Sequence, residues 1–444
     1  MNEIEQIKAN IQNSKFLYDI LMNIQISTKK HNTSLLAVWS EVACALRTSL
    51  KNSGLIKSIN YTGNKYWNQF KGDQKFSFVD GGSLGVNVPM AAPIGVRVGS
   101  YGVFPGNYNN IVREEFAINR QVIADLFDQN NSYYDDQFDD LEILRESARI
   151  INEISVVEQI IMDDLKKEKK LRNKCILLHG PLVMPVSRYV DIRRNTSKDH
   201  FPKFKKDFYK ELVPHRNPKD KIEDRDRHYI PTYKAILNYI QQSPIPVYGV
   251  VERPASKKAP GYFTKFLLKE TRDNGLIGSD IHDEILETLS QHNFTDAILY
   301  DFILFENEYI QPTSVNRQLP DKGTIIWDNE IDSIPRPFTT FMKITNTSPP
   351  LRIEWLSEHN NINSDLEFIL HNSRLMPNYA FPVGLDIVDK HAKVPLYLSK
   401  GIQQTYVMEA LKVAHALGDQ QAINFTRKLA ASHPRDFYWR PKAY

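Results

Sequence analysis

Cysteine is nearly missing from this chain: Cys44 and Cys175 are the only two in 444 residues. Both sit in apolar surroundings, which excludes a disulfide framework and Cys-rich zinc sites and fits a reducing compartment. No apolar run reaches ~18 residues, and the opening MNEIEQIKANIQ carries charges where a secretory signal is apolar. Neither a membrane span nor a signal peptide is therefore expected, and the default is a cytoplasmic globular protein. An excess of one charge is lacking too. With 56 Lys and Arg against 53 Asp and Glu, the formal net charge of +3 announces no polyanion partner. A nucleic-acid surface must come from local clustering. There is no internal repeat, no low-complexity segment and no Walker-type Gly-x-x-x-x-Gly-Lys, so the chain itself is not expected to hydrolyse ATP.

What is present suffices for a large α/β protein. A hydrophobic fraction of 41% supplies a sizeable core, in two or three domains' worth of chain or one large domain with insertions. Residues 1 to about 58 read as helical, with Phe16, Leu17, Ile20, Leu21 and Ile24, then Leu35, Val38, Trp39, Val42 and Leu46, at helical spacing. KFSFVDGG reads as a strand, and SLGVNVPMAAPIGVRVGSYGVFPG as further strands and turns of one sheet. The acidic SYYDDQFDDLE leads into a long helix, ILRESARIINEISVVEQIIMDDLKKEKK, and then the strand CILLHGPLV. PTYKAILNYIQQ reads as a helix. IPVYGVVERP, AILYDFILF, GTIIWD, TTFMKIT and LRIEWL read as strands, and a helical tail runs from about Gly401. That order predicts a mixed sheet flanked by helices, with helical segments at 1–58 and 401–444 around a body at 59–400.

Three features carry possible chemistry. Asp80 ends an apolar strand before Gly81-Gly82, where a hard oxygen ligand can hold Mg²⁺ or Mn²⁺; Asp-Gly-Gly is equally a turn signal. On the long helix, Ile150, Ile151, Ile154, Val157 and Ile161 mark a buried stripe. Glu153 and Glu158 flank that stripe, whereas Glu142 and Glu168 do not. His179 is a titratable side chain at the carboxyl end of CILLH, where open α/β sheets place chemistry. A fourth feature is the window 188–228, which holds thirteen Lys or Arg against eight Asp or Glu, interleaved with Phe201, Phe204, Phe208 and Tyr209. Arg193, Arg194, Lys203, Lys205 and Lys206 there suit phosphate contact, with the aromatics either stacking on unpaired bases or anchoring a solvated insertion.

In this order the segments resemble the NurA nuclease family. They are the strand ending in Asp80-Gly81, the Glu-bearing helix, the strand ending in x-Gly-Pro-Leu, VYGVVERP, PLRIEWL and FPVGLDIVDKHAKV, from about Phe76 to Val394. The resemblance implies a ribonuclease-H-like (Piwi-like) core and a manganese-dependent (or magnesium-dependent) nuclease acting on single- and double-stranded DNA ends. It also implies a homodimer docked on the hexameric HerA translocase, in end resection or in defence against foreign DNA. The apolar face Val407, Leu411, Val413 and Leu417 then serves such contacts or packs on the chain's own core.

Position by position, Asp80 matches the family's first metal-binding Asp. The helix ligand is Glu153 or Glu158, with Arg149-x-x-x-Glu153 favouring the former. His179 stands where the family has a second Asp. Phe381 stands on the family's Tyr and Asp389 on its His, with His391 two residues later. Two readings stay open: a reciprocal exchange that keeps a metal set of Asp80, a helix Glu, His179 and Asp389, or a silent, HerA-docking, DNA-binding adaptor. An RNA-directed ribonuclease-H-like module is a third class the fold admits.

Overall fold

The computed structural model describes residues 43–72, 74–85, 94–106, 113–124, 138–184, 204, 206–213, 227–252, 261–291, 295–316, 328–357, 362–394 and 396–424. The strands are β1 (Ile56–Ser58), β2 (Lys75–Gly85), β3 (Ile94–Val103), β4 (Glu114–Ala124), β5 (Asn173–His179), β6 (Val247–Val251), β7 (Glu308–Ile310), β8 (Thr313–Ser314), β9 (Phe338–Met342) and β10 (Leu351–Trp355). They form one sheet in the order β1-β7-β9-β10-β6-β5-β2-β3-β4, with β8 on β9. β2, β3 and β4 are an antiparallel meander. On the other side of β2, β5 runs parallel to it and β6 parallel to β5. Counted from β2, that half of the sheet has the order 3-2-1-4-5 with an antiparallel second strand, the ribonuclease-H-like arrangement. The fold class is therefore the expected one.

Helices cover both faces: α1 (43–52), α2 (Phe138–Leu165), α3 (Lys206–Leu212), α4 (Tyr229–Gln242), α5 (Tyr262–Asp273), α6 (Ser279–Gln291), α7 (Asp296–Ile303), α8 (Asp328–Asp332), α9 (Ile362–Ser373), α10 (Val383–Ala392) and α11 (Leu396–Ala416). The period of two along each strand decides which face each residue serves. Val79, Val96, Val98, Ile176 and Leu178 join the α2 stripe Ile150, Ile151, Ile154, Val157 and Ile161 in one core. Phe76, Phe78, Tyr101, Cys175, Leu177, Tyr248 and Val250 join Phe368 of α9 and Leu385 and Val388 of α10 in the other. Phe76 and Phe368 stack at 3.8 Å between centroids. Each such fully buried side chain is worth roughly 1.5–3 kcal/mol. CILL is apolar throughout because β5 lies inside the sheet with a core on each face.

Several local expectations are corrected. The N-terminal segment is not helical up to residue 58, and residues 1–42 lie outside the described ones. Gly54, at φ 70°, ends α1, with its N–H on Lys51 O at 3.0 Å and that of Leu55 on Leu50 O at 2.9 Å. The chain then enters β1, which pairs with β7. AILYDFILF starts as α7, not a strand: Thr295 caps it by accepting from Ile298 N, and Asp296 turns its carboxylate onto Gly261 N and Phe263 N at the start of α5. GTIIWD lies outside the described residues except Asp328, which opens α8. The C-terminal helix begins at Leu396, a few residues before Gly401. Asp80-Gly81-Gly82 is not a turn, since β2 stays paired with β3 as far as Gly85.

In the basic window, Phe204 and Tyr209 are buried in the α2-side core, which takes base stacking away from them and makes them anchors. Arg193, Arg194, Lys203 and Lys205 lie outside the described residues. Lys206 is exposed at the start of α3. On the C-terminal helical segment, Val413 and Leu417 face solvent, at 59% and 71% exposure, rather than packing on the chain's own core. Among the described residues, no helix is long and apolar enough to cross a membrane.

Candidate metal centre

Parallel pairing of β2 with β5 aligns Val79 with Leu178, so one register step further places Asp80 beside His179. Asp80 lies on the face of β2 that carries Phe76 and Phe78, the face covered by α10. α10 lies close to the sheet because Gly384 has no side chain; a Cβ there would overlap the Phe78 ring. Gly82 does the same at the far end, where a Cβ would stand 2.6 Å from Ala392 O. This approach brings Asp389 over the sheet. Ligand atoms of Asp80, His179 and Asp389 all fall within 4.8 Å of one another.

The contacts inside the cluster are specific. His179 Nδ1 is 3.0 Å from Asp80 Oδ2, and Asp80 Oδ1 accepts from Gly81 N at 2.7 Å. The His179 ring rests on Phe381, with centroids 5.0 Å apart. Phe381 is held there by a left-handed Ala380, φ 52°, which turns the chain out of the loop after α9. Lys393 Nζ donates to Asp389 Oδ2 at 2.6 Å. A cleft of about 460 Å³ opens beside these groups, lined among others by His179, Glu252, Tyr379, Phe381, Asp389 and Lys393.

Glu153 reaches β2 from the opposite face. Gly81 alternates with Asp80 and faces α2, and a Cβ on it would stand 2.6 Å from Glu153 Oε1. The two glycines after Asp80 thus each clear the way for a helix. Glu153 is buried and accepts from Arg149 Nη1 at 2.7 Å. Glu158, five residues on, lies about 140° round the helix from Glu153 and is not brought to the cluster. His391 is not either: it follows Asp389 by about 200° of helix and packs on Phe116 of β4, centroids 4.9 Å apart.

Burial raises the Asp80 carboxyl above its ordinary range, against the hydrogen bond and charge of His179. Burial also pushes Glu153 up to about 7, opposed by Arg149 and reinforced by the charge of Asp80. Burial pulls the His179 imidazole down, but the hydrogen bond and charge of Asp80, followed by Asp389 and Glu153, carry it above its usual value. The upward shifts of Asp80, Glu153 and His179 mean that a cation binding here would compete with protons. A divalent cation that replaces them releases them to solvent. Two carboxylates and one imidazole suit Mn²⁺, which takes oxygen and nitrogen ligands, and suit all-oxygen Mg²⁺ less well.

The raised Glu153 has a sign that can be tested. Its folded pKa lies above the ordinary glutamate value of 4.5, so its share of stability is full below that value and is lost as pH rises through about 7. In EDTA, Glu153→Gln should therefore be the more stable protein at pH 8, by up to about 3 kcal/mol. The two should converge near pH 5. Thermal melts at both pH values check this, and a wild type that is the more stable at pH 8 would refute it.

Sequence reasoning did not single out Glu252, Tyr379 or Lys393. The charge of Glu252, with its hydrogen bond, helps burial push the Tyr379 hydroxyl up to about 12. The signal for Lys393 was available: it stands four residues after Asp389, the spacing that stacks two side chains on one helical face.

No protein-family model matches the sequence, and no characterised protein matches it at sequence level. Similarity does extend to solved structures. The NurA nuclease from Sulfolobus solfataricus is 14% identical at a TM-score of 0.43, covering 96% of this chain and 100% of that one. A NurA structure bound to dAMP and manganese is 14% identical at 0.32, covering 83% and 93%. Human ENDOV is 11% identical at 0.27, covering 80% and 96%.

Proposed function

We propose that the protein is a divalent-cation-dependent nuclease that hydrolyses phosphodiester bonds in DNA, with Asp80, Glu153, His179 and Asp389 as its machinery. The observation that supports this reading is the convergence of Asp80, His179 and Asp389 beside an open cleft that His179 and Asp389 line. Carboxylates at such density repel one another unless protons or a cation neutralise them, and phosphodiester hydrolysis needs a centre of that kind. Mn²⁺ is the proposed cation. When bound, it supplies an activated water and neutralises charge on the transferring phosphoryl group.

The chain's own residues then have distinct tasks. Asp80 and Asp389 provide hard oxygen ligands from the sheet and from α10, and His179 provides an imidazole nitrogen. Gly81 N and the Phe381 ring fix the orientations of Asp80 and His179. Glu153, buried against Gly81 across β2 from this set, contributes the negative charge that acts on Asp80 and His179. The open side of the cleft, with Lys393 and Tyr379 at its wall, admits the phosphate backbone.

The finer parts of the reading rest on the order of the NurA-like motifs. They are a HerA-type ATPase as partner, a homodimer, action on single- and double-stranded DNA ends, and a role in end resection or defence. The test is purified protein with Mn²⁺ or Mg²⁺ and a labelled linear duplex, with and without the ATPase. Degradation that needs the cation is the expected result. DNA binding without any degradation in either case would sink the reading. One observation favours the silent-adaptor alternative: Lys393 already places a positive charge on Asp389.

A further inference from the structure

Lys393 has no role in the ligand set described above, yet it stands on one of its members. Its ammonium is 2.6 Å from Asp389 Oδ2, and its side chain is 69% exposed against 27% for that of Asp389. It follows the last turn of α10, and its backbone N–H closes that turn on Asp389 O at 3.0 Å. The backbone is thereby anchored, while the side chain lies along the wall of the cleft that His179 and Asp389 also line. The charges of Asp80 and Asp386 also act on it.

We propose that Lys393 is an internal stand-in for the divalent cation, which yields Asp389 when the cation binds and then contacts the substrate phosphate. This rests on the metal-site reading of Asp80, His179 and Asp389. One carboxylate oxygen that already accepts from an ammonium is less available to a cation, and two positive centres sharing it repel. The pair is solvent-exposed, so breaking it costs little. A lysine is suited to the exchange: it is a point charge on a flexible stem and pairs with phosphate as readily as with carboxylate. Arg149, by contrast, is tied to the buried Glu153.

The inference separates two properties that a merely structural lysine would move together or not at all. Lys393→Gln should bind Mn²⁺ about three- to tenfold more tightly than wild type, because the competitor is gone. The same variant should bind a short single-stranded DNA more weakly in Ca²⁺. The slope of its log affinity against log salt should shrink by about 0.7, the loss of one phosphate contact. Lys393→Arg should restore the salt slope. Calorimetric titration with Mn²⁺ and fluorescence anisotropy on labelled DNA read these quantities, with circular dichroism to establish that each variant is folded.

Equal Mn²⁺ affinity in wild type and Lys393→Gln overturns the role of Lys393 while leaving the metal site intact. An unchanged salt slope overturns its phosphate contact. Wild type that binds no Mn²⁺ at millimolar concentration overturns the metal-site reading itself, and the role of Lys393 with it.

Discussion

Replacing Asp80 by Asn should lower nuclease turnover at least about a thousandfold and abolish tight Mn²⁺ binding, while leaving the fold intact. A thousandfold corresponds to roughly 4 kcal/mol of transition-state stabilisation, within what a bound divalent cation supplies. Asn retains an oxygen that can accept from Gly81 N, so the backbone of β2 loses no local partner. It removes a carboxylate whose ionisation burial already disfavours. Melts in EDTA should therefore show a stability equal to wild type or higher. Activity assays and Mn²⁺ titrations on the same preparation check the claim. Full activity in Asp80→Asn would remove Asp80 from the mechanism, and a melt several degrees lower would assign it to folding.

The second large effect comes from an uncharged residue. Gly81→Ala should cost about a hundredfold in turnover and about 1–3 kcal/mol in stability. The added methyl group would stand 2.6 Å from Glu153 Oε1 and 2.7 Å from its Cγ, distances that a real Cβ does not tolerate. Because the interior is close-packed, either Glu153 leaves its place beside Arg149 or α2 moves off β2. A double-mutant cycle decides whether the cause is this contact. Adding Glu153→Ala to Gly81→Ala should recover most of the lost stability and none of the activity. Strictly additive stabilities would show that the methyl group acts elsewhere.

How much of this could be read from sequence depended on whether a segment's pattern had one physical cause. β5 and β6 were legible because strands buried on both faces are short apolar runs, and α2 because its isoleucine stripe repeats at helical period. β4 was missed: EEFAINRQVIA is an edge strand with Phe116 and Ile118 exposed, so its composition is that of a polar loop. AILYDFILF is apolar enough for either element, and the capping by Thr295 and Asp296 decides for helix. Asp80-Gly81-Gly82 looked like a turn because the usual reason for Gly after Asp is backbone freedom. Here the glycines are required by what approaches them, Glu153 on one face and Ala392 on the other. No local window contains that information.

The same limit applied to the site. The NurA-like motif order pointed to Asp80, a helix Glu, His179 and Asp389; among the described residues Asp80, His179 and Asp389 meet, while Glu153 stands outside that group on the other face of β2. Glu158 and His391 had comparable sequence credentials and are turned away by helical phase. Phe381, at the position of a family Tyr, is buried against His179, which leaves the hydroxyl of Tyr379 to face the cleft.

The spread of the cluster along the chain has a consequence for the order in which the protein comes into being. Asp80, Glu153 and His179 belong to the first part of the chain and to one half of the sheet. Asp389 arrives only with α10, after β6 has completed that half and β7 to β10 have been added on the other side. A ribosome that has made two hundred residues has made three of the four proposed machinery residues and no closed cation site. Under the proposed function, cutting competence is withheld until the far end of the chain has docked, and a product ending before α10 should show no cation-dependent degradation of DNA.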